Sequence, residues 1–353
     1  MTAPVLPRAA SRQALAVLRH PDRRTTWAIV LAASLDVARR PSQDRVDALH
    51  AELPIIGARL DGEVWVPGGP PRVVDVGSHE PTEAPDLLDG FSLDRDAPLR
   101  VVVGGVGGGR VALVGHHAAF DGRGLVAVLG ALLGGDIPNS VAGVSPGRLR
   151  PQLATVRRLV RPADRIAPSR VAPARDSVVA RDAVLGGHDV TARLAAACAQ
   201  AAQARNRSQR APLRRFGISV GVGGMSGVGN VASYRRVDVR APGEVLDAVN
   251  GALTGVVEPA ELVGSSRALR ALSPLVARLS DTLLISNLGR IDVPGARRVE
   301  FYPVARGRSA VSFGAASVAG GDTTLTVRCR DLDASDAAAL LEDAVSRLAD
   351  SGG

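Results

Sequence analysis

The chain has 353 residues, of which 46% are hydrophobic and 22% are charged, and its formal net charge is +8. This length exceeds the usual size of a single hydrophobic core, so two domains are expected. All 43 basic residues are arginines, a bias that high-GC codon usage can produce. Arginine stays charged and binds phosphates and carboxylates, so the surface favours anionic partners. We expect no nucleic acid among them, because the arginines are scattered and no binding motif is present.

The cysteines and the apolar segments indicate a cytoplasmic protein. Cys198 and Cys329 fit no metal-binding or redox spacing, and we expect buried thiols in a reducing compartment. No apolar run approaches the ~18 residues of a membrane span without a charge or a turn signal. Arg23-Arg24 resembles a twin-arginine export signal, but the apolar run behind it is short and ends at Asp36. We interpret that run as a core strand.

The first half of the chain shows strand-length apolar runs, two hairpin signals and two helices. Ser42 is typical of an N-cap, Pro54 should end the helix that follows, and Asp61-Gly62 should join two short strands. The glycine cluster at 104–109 has neither the GxGxxG spacing nor the Gly-Lys-Ser/Thr of a phosphate loop, so a turn is favoured. The predicted elements are strands at 25–34, within 55–66, at 99–103 and at 110–114, and helices from 42 and over 124–133.

The second half follows a proline- and arginine-rich stretch that predicts a domain linker. Its predicted elements are helices at 190–205, 244–253 and 265–279 and from 335, and strands at 216–222, 231–239, 283–286, 309–318 and 323–330. No strict βαβα alternation is present, so each half should form an open mixed or antiparallel sheet covered by helices, an α+β fold. We place a first lobe at 1–140, a linker at 141–180 and a second lobe at 181–353.

The most informative segment, HHAAFDG from His116 to Gly122, lies between a predicted strand and a predicted helix. Strand alternation should point the two histidines to opposite faces, which weakens a shared metal site. A neutral imidazole can take a proton from a hydroxyl or an amine, and Asp121 can orient the turn or hold the histidine tautomer. The alternative is a histidine pair satisfied in a turn, with Asp-Gly as an ordinary turn dipeptide. The complete pattern at this junction favours a functional role.

This HHxxxDG pattern resembles the motif of the superfamily that contains chloramphenicol acetyltransferase, nonribosomal peptide condensation domains and polyketide-associated acyltransferases. Phe91-Ser92-Leu93 is similar to the segment before the motif strand in condensation domains. The segment 216–230 and Ser286-Asn287-Leu288-Gly289 resemble recurring segments of the C-terminal lobe. The plant-type DFGWG motif is absent from the sequence.

The resemblance implies two chloramphenicol-acetyltransferase-like lobes with the active-site cleft between them. It implies His117 as the general base, His116 and Asp121 as supports with Asp121 paired to an arginine, and Gly122 near the reacting thioester. The residues expected to contact substrate are Ser286, Asn287, Asn230 and Arg123. Ser286-Asn287 could equally be a turn that caps a strand, and Arg235-Arg236 could pair with Asp121 or form a solvated face.

The implied activity is acyl transfer from a coenzyme A or carrier-protein thioester to a hydroxyl or amine acceptor, in natural-product or lipid biosynthesis. We expect no bound cofactor and no metal, with coenzyme A or phosphopantetheine entering as part of the donor. The expected partners are an acyl-CoA or an acyl or peptidyl carrier protein, and a small-molecule acceptor, with the chain acting as a monomer. The alternatives are another base-catalysed reaction on a tethered substrate, such as cyclisation or dehydration, and a non-catalytic docking module for carrier proteins.

Overall fold

The computed structural model describes residues 6–20, 22, 24–36, 39–84, 86–136, 153–222, 227–254 and 278–350. The strands are β1 (Arg8–Ala9), β2 (Ala28–Leu35), β3 (Arg59–Asp61), β4 (Val64–Val66), β5 (Val73–Asp75), β6 (Leu99–Gly104), β7 (Arg110–His116), β8 (Ser177–Ala183), β9 (Phe216–Val222), β10 (Ser233–Val239), β11 (Leu283–Ile291), β12 (Ala296–Tyr302), β13 (Val311–Val318) and β14 (Thr323–Cys329). The α-helices are α1 (Arg12–Leu18), α2 (Gln43–Glu52), α3 (Gly122–Leu132), α4 (Leu153–Val160), α5 (Val190–Ser208), α6 (Val245–Thr254) and α7 (Ala334–Asp350).

Two mixed sheets form the framework, which confirms the predicted α+β class. One has five strands in the order β12-β2-β7-β6-β5, and the other has six in the order β10-β9-β11-β13-β14-β8. A small antiparallel sheet, β1-β4-β3, accompanies the first. Each large sheet combines parallel and antiparallel pairs, because β5 runs parallel to β6 and β11 runs parallel to both β9 and β13.

Strand β2, an interior strand of the five-stranded sheet, is apolar along nearly its whole length because both of its faces are covered. Ile29 and Leu31 belong to the large core cluster on one side of the sheet. Val30 and Ala32 belong to a smaller cluster on the other side, with Tyr302. The alternation of side chains along one strand therefore feeds two cores.

Several local predictions are confirmed. Ser42 caps α2, since its hydroxyl accepts a hydrogen bond from the Arg45 amide at 3.3 Å, and the helix ends at Glu52, before Pro54. The Asp61-Gly62 signal joins β3 to β4. The glycine cluster is the turn between β6 and β7, where Gly105 has a φ of 84°, a value that L side chains rarely adopt.

The sheet topology divides the chain differently from the predicted lobe boundaries in two places. Strand β12 lies in the second half of the sequence, yet it pairs with β2 at the edge of the five-stranded sheet. Strand β8 begins inside the predicted linker and forms an edge of the six-stranded sheet. The sequence analysis assigned neither strand. The pairing of β12 with β2 joins the second half of the chain to the first.

One further prediction is confirmed, and two others fall partly outside the described residues. Cys198 and Cys329 are free and buried, as expected, and burial raises the pKa of the Cys198 thiol. The predicted helix at 265–279 and the second glycine-rich segment at 221–229 lie partly outside the described residues. No helix in the described part of the chain has the length and apolar character that a membrane span needs.

Candidate active site

His117 lies one residue beyond the end of β7, where the five-stranded sheet meets the second half of the chain. Its backbone amide donates to the Trp27 carbonyl at 2.7 Å, which extends the pairing between β2 and β7 by one step. The indole of Trp27 lies parallel to the imidazole, with ring centroids 6.5 Å apart. The side chain of His117 is therefore held in a defined place, and the residue is only 5% exposed.

The hydrogen bonds of His117 define its tautomer. Its Nδ1 lies 2.9 Å from the Phe120 carbonyl oxygen, which can only accept, so Nδ1 carries the hydrogen. Burial lowers the pKa of His117 below its ordinary value, so the ring is neutral near pH 7. In the neutral ring Nε2 is an acceptor, and it lies 3.0 Å from the hydroxyl of Tyr234. His117 is thus a neutral imidazole with its basic nitrogen directed at one phenol.

Groups around His117 shift its pKa in opposite directions. Arg306 lowers the pKa of His117, whereas the Phe120 carbonyl and Asp121 raise it. Arg306 lies over the ring of Tyr234, with its guanidinium carbon 4.8 Å from the ring centroid. It also pairs with Asp281 at 3.4 Å. Burial is the largest of these influences and leaves the imidazole uncharged.

His116 has different neighbours from His117. Its Nδ1 accepts a hydrogen bond from the Ala118 amide at 3.1 Å, and its ring meets Phe91 edge to face at 5.6 Å. Burial, followed by the proximity of His117 and Arg100, lowers the pKa of His116 to about 3. A neutral, buried ring that holds the turn fits a supporting role.

Asp121 does not pair with an arginine among the described residues, which corrects the expectation drawn from the resemblance. It is the N-cap of α3, where its Oδ1 accepts from the Gly124 amide at 2.8 Å. Its Oδ2 accepts from the Val231 amide at 3.0 Å, and its own amide donates to the Gly229 carbonyl. Asp121 therefore joins the start of α3 to the segment before β10.

The two arginines considered as partners of Asp121 have other roles. Arg236 pairs with Asp281 at 3.1 Å and with Asp238 at 3.1 Å, and its side chain is only 8% exposed. Arg235 donates to the Ala252 carbonyl at the end of α6. Arg236 therefore neither pairs with Asp121 nor forms a solvated face.

Gly122 is required for packing. A Cβ atom there would lie 2.7 Å from the Phe301 ring and 2.8 Å from the Leu288 side chain, so no larger residue fits without movement. Phe301 belongs to β12, and Leu288 belongs to β11. The glycine lets the start of α3 approach strands from the second half of the chain.

The four residues predicted to contact substrate are not brought together at His117. Asn230 donates through Nδ2 to the His117 carbonyl, so it fixes the backbone of His117. Asn287 donates to Thr191 at 3.0 Å and accepts from the Gly289 amide, and both it and Ser286 lie within β11 and not in a turn that caps a strand. Arg123 lies 3.4 Å from the Leu288 carbonyl. Ser286 is half-buried, and its Oγ lies 3.0 Å from where a Cβ atom on Gly221 would be.

Ser286 is nevertheless placed on the same row of the six-stranded sheet as Tyr234. Gly221 pairs directly with Tyr234, and the parallel register of β9 and β11 pairs Val220 with Ile285, the residues just before Gly221 and Ser286. Strands are spaced about 4.8 Å apart, so two strand spacings separate Ser286 from Tyr234, about 10 Å. The Ser286 side chain lies over Gly221, since its Cβ is 3.5 Å from where a Cβ atom on Gly221 would be.

The sequence analysis missed the aromatic surroundings of His117. Trp27, Tyr234 and His20 were not assigned, yet the His20 ring meets Trp27 edge to face at 4.8 Å and Trp27 stacks on His117. The signal available in the sequence was the rarity of these residue types, because the chain has only two tryptophans and two tyrosines. One of each lies against His117.

A separate cavity of about 760 Å³ lies at the far end of β9 and β10, beside Phe216 and Val239. It is lined by six arginines, namely Arg157, Arg158, Arg161, Arg214, Arg215 and Arg240. None of the residues that contact His117 lines it. Among the described residues, no group of three or more His, Cys, Asp or Glu side chains could hold a metal ion.

Comparison with known proteins identifies the fold. No protein-family model matches the sequence, and a search of curated proteins finds no match either. The first condensation domain of the calcium-dependent antibiotic synthetase superposes with a TM-score of 0.60 at 14% identity, over 98% of this chain and 96% of that one. The condensation domain of the monacolin K polyketide synthase gives 0.54 at 13% identity, over 98% and 97%.

An epimerization domain of tyrocidine synthetase B also gives a TM-score of 0.54, at 12% identity over 99% of this chain and 97% of that one. The chain therefore has the two-lobed fold of the condensation domains, with the HHxxxDG segment at the end of β7. At such low identities the shared property is the fold.

Proposed function

We propose that the chain is an acyltransferase of the condensation type, which joins an acyl group from a thioester to a hydroxyl or amine acceptor. The observation that carries the proposal is the state of His117: a buried, neutral imidazole whose Nδ1 hydrogen is held by the Phe120 carbonyl and whose Nε2 is left as an acceptor. A general base for an alcohol or an amine needs this state near neutral pH. The condensation-domain fold supports the same conclusion.

In the proposed reaction His117 accepts the proton that the acceptor loses. The acceptor oxygen or nitrogen attacks the thioester carbonyl carbon, and its proton ends on Nε2 of His117. The carbon–sulfur bond then breaks, and the thiolate takes the proton back from the imidazolium. The donor is a coenzyme A or carrier-protein thioester, so the phosphopantetheine group belongs to the substrate. The reaction belongs in natural-product or lipid biosynthesis.

The surface charge supports an anionic donor or carrier as the partner. The net charge is +8, and the cavity beside Phe216 concentrates arginines at one end of the six-stranded sheet. A basic surface raises the encounter rate with phosphate-bearing or acidic partners. We propose that the chain works as a monomer in the cytoplasm, with a small-molecule acceptor and without nucleic acid.

A second candidate is a base-catalysed reaction within one tethered substrate. The similarity to an epimerization domain of tyrocidine synthetase B favours it, because a base that moves a proton also suits that chemistry. The products distinguish the two candidates. Acyl transfer joins the masses of the acyl group and the acceptor, whereas an intramolecular reaction adds no acceptor.

The test is turnover of acyl-coenzyme A and acyl-N-acetylcysteamine thioesters with panels of amines and alcohols, followed by thiol release and product mass. For any active pair, we expect His117→Ala to lower kcat by about 10²–10⁴-fold, the range typical of a lost general base. His117→Gln and thermal melts show whether folding is retained, and His188→Ala is the matched control because His188 is exposed. Full activity in a folded His117 variant would falsify the proposal.

A further inference from the structure

The basic nitrogen of His117 is covered by another residue. The Tyr234 hydroxyl lies 3.0 Å from Nε2, and the other ring nitrogen is occupied by the Phe120 carbonyl. His117 is 5% exposed, whereas Tyr234 is only half-buried, so the phenol is the more accessible of the two groups. A molecule that approaches from solvent at this point meets the phenol before it meets the imidazole.

The phenol is held in this place by charged neighbours. The guanidinium of Arg306 lies over its ring at 4.8 Å and is anchored to Asp281 at 3.4 Å. Asp281 is fixed in turn by Arg236 at 3.1 Å and by the Ser219 hydroxyl at 2.7 Å. These groups lie on β9 and β10 and in the segments before β11 and β13, so four segments of the second half of the chain position one hydroxyl.

The Ser286 hydroxyl of β11, not a side chain of β9, lies nearest to the position beside the phenol, 3.0 Å from where a Cβ atom on Gly221 would be. Gly221 of β9 is the direct partner of Tyr234 in the sheet and presents no side chain. An acceptor hydroxyl or amine that approaches from solvent reaches the half-buried phenol first, while Nε2 of the buried His117 stays behind it. The arrangement has the order expected of a proton path: acceptor, phenol, imidazole.

We propose that Tyr234 relays the proton between the acceptor and His117, an inference that rests on the proposed function. As the acceptor attacks the thioester carbonyl, its proton passes to the Tyr234 oxygen while the phenolic hydrogen passes to Nε2. When the carbon–sulfur bond breaks, the same two hydrogens return, and the thiolate is protonated. Both residues end as they began, and no other reactant is required. The Arg306 cation over the ring stabilises the negative charge that develops on the phenol oxygen during transfer.

The first experiment needs no substrate and uses the full chain. N-acetylimidazole acetylates accessible phenols and diethyl pyrocarbonate modifies imidazoles, and peptide mass mapping locates both products. We expect Tyr234 to be acetylated while Tyr302, the only other tyrosine and 2% exposed, is not. We expect His117 to react at least about tenfold faster in Tyr234→Ala than in the wild type. Equal His117 rates in the two proteins would overturn the proposal, because Tyr234 would not cover the base.

The second experiment uses an active donor and acceptor pair from the screen described above. We expect Tyr234→Phe to lower kcat by about 10²-fold or more with little change in the KM of the acceptor, since the ring stays and only the relay is lost. Tyr302→Phe is the matched control and should leave kcat unchanged. The wild type should show a curved dependence of kcat on the deuterium fraction of the solvent, because two protons move together.

The outcomes separate the relay from the proposed function. If Tyr234→Phe keeps full kcat while His117→Ala loses it, the relay is wrong and the base remains. A linear solvent-deuterium dependence in the wild type would overturn the relay in the same way, even if Tyr234→Phe were slow. If His117→Ala also keeps full activity, the proposed function itself fails.

Discussion

The two sides of the candidate site are held by different kinds of contact. On the motif side, His116, His117 and Asp121 each bond to backbone groups, namely the Ala118 amide, the Phe120 carbonyl and the amides of Gly124 and Val231. On the opposite side, Tyr234 is positioned by a chain of charged side chains that runs through Arg306 and Asp281 to Arg236.

The difference shows which contacts a short motif can encode. Three of the four backbone contacts on the motif side lie within three residues of the side chain that makes them, so the heptad carries most of its own geometry. The charged chain joins positions that are far apart in sequence and become neighbours only through the sheet. The motif side should therefore tolerate distant changes, whereas the charged side depends on how the sheets meet.

Replacement of Arg328 should have the largest effect on the contacts between the two sheets. It lies on β14 with 1% of its side chain exposed, pairs with Asp176 at 2.7 Å and donates to the Ala28 carbonyl of β2, next to Trp27. We expect Arg328→Met to lower the free energy of unfolding by about 3–5 kcal/mol, because the buried Asp176 loses its partner at 2.7 Å and keeps only Arg330, at 3.9 Å. Urea denaturation measures it.

Arg347→Met is the matched control, because Arg347 forms only a partly exposed i,i+4 pair with Asp343. It should change the free energy of unfolding by about 0.5 kcal/mol or less. The double variant Arg328→Met/Asp176→Leu should recover part of the loss. If the single Arg328→Met variant is as stable as the control, Arg328 does not hold the two sheets together.

Asp121 tests the motif side. We expect Asp121→Ala to cost about 2–3 kcal/mol, because a charged acceptor of two backbone hydrogen bonds is removed. Asp121→Asn keeps one oxygen and remains a good N-cap, so it should cost less. Ser42→Ala removes a cap with one local bond and should cost about 1 kcal/mol. If Asp121→Ala costs no more than Ser42→Ala, the bond to Val231 contributes nothing to stability.

His116 gives the smallest effect and a specific pH dependence. Its pKa is lowered from 6.5 to about 3 in the folded protein, chiefly by burial, so folding favours the neutral ring. The stability from this group is present above pH 6.5 and is lost as the pH falls toward 3. Between pH 7 and pH 5 the loss is about 2 kcal/mol, because protonation of the unfolded chain competes with folding.

The measurement compares the wild type with His116→Asn, which keeps an acceptor for the Ala118 amide but does not titrate. The stability advantage of the wild type should shrink by about 2 kcal/mol between pH 7 and pH 5. A constant difference across this range would mean that His116 is not held neutral in the folded protein.

Much of the fold could be predicted from local patterns. The strand at 216–222 has the predicted bounds, and the hairpins at 99–114 and 309–330 are present within two residues of their predicted ends. Strand β12 could not be predicted, because its sequence, Ala-Arg-Arg-Val-Glu-Phe-Tyr, carries three charges. Glu300 is buried beside Arg298 of the same strand and pairs with Arg110 of β7, a contact that exists only once β2 joins β12 and β7 in one sheet.

The sequence by itself determined the heptad at the end of β7 and the glycine turn before it, because these follow from strand alternation and turn chemistry over a few residues. Only the tertiary structure decided that Asp121 binds the Val231 amide instead of an arginine, that Asn230 supports His117, and that Tyr234 covers the basic nitrogen. These contacts join residues more than one hundred positions apart, and the packing of two sheets sets such distances, not the order of residues.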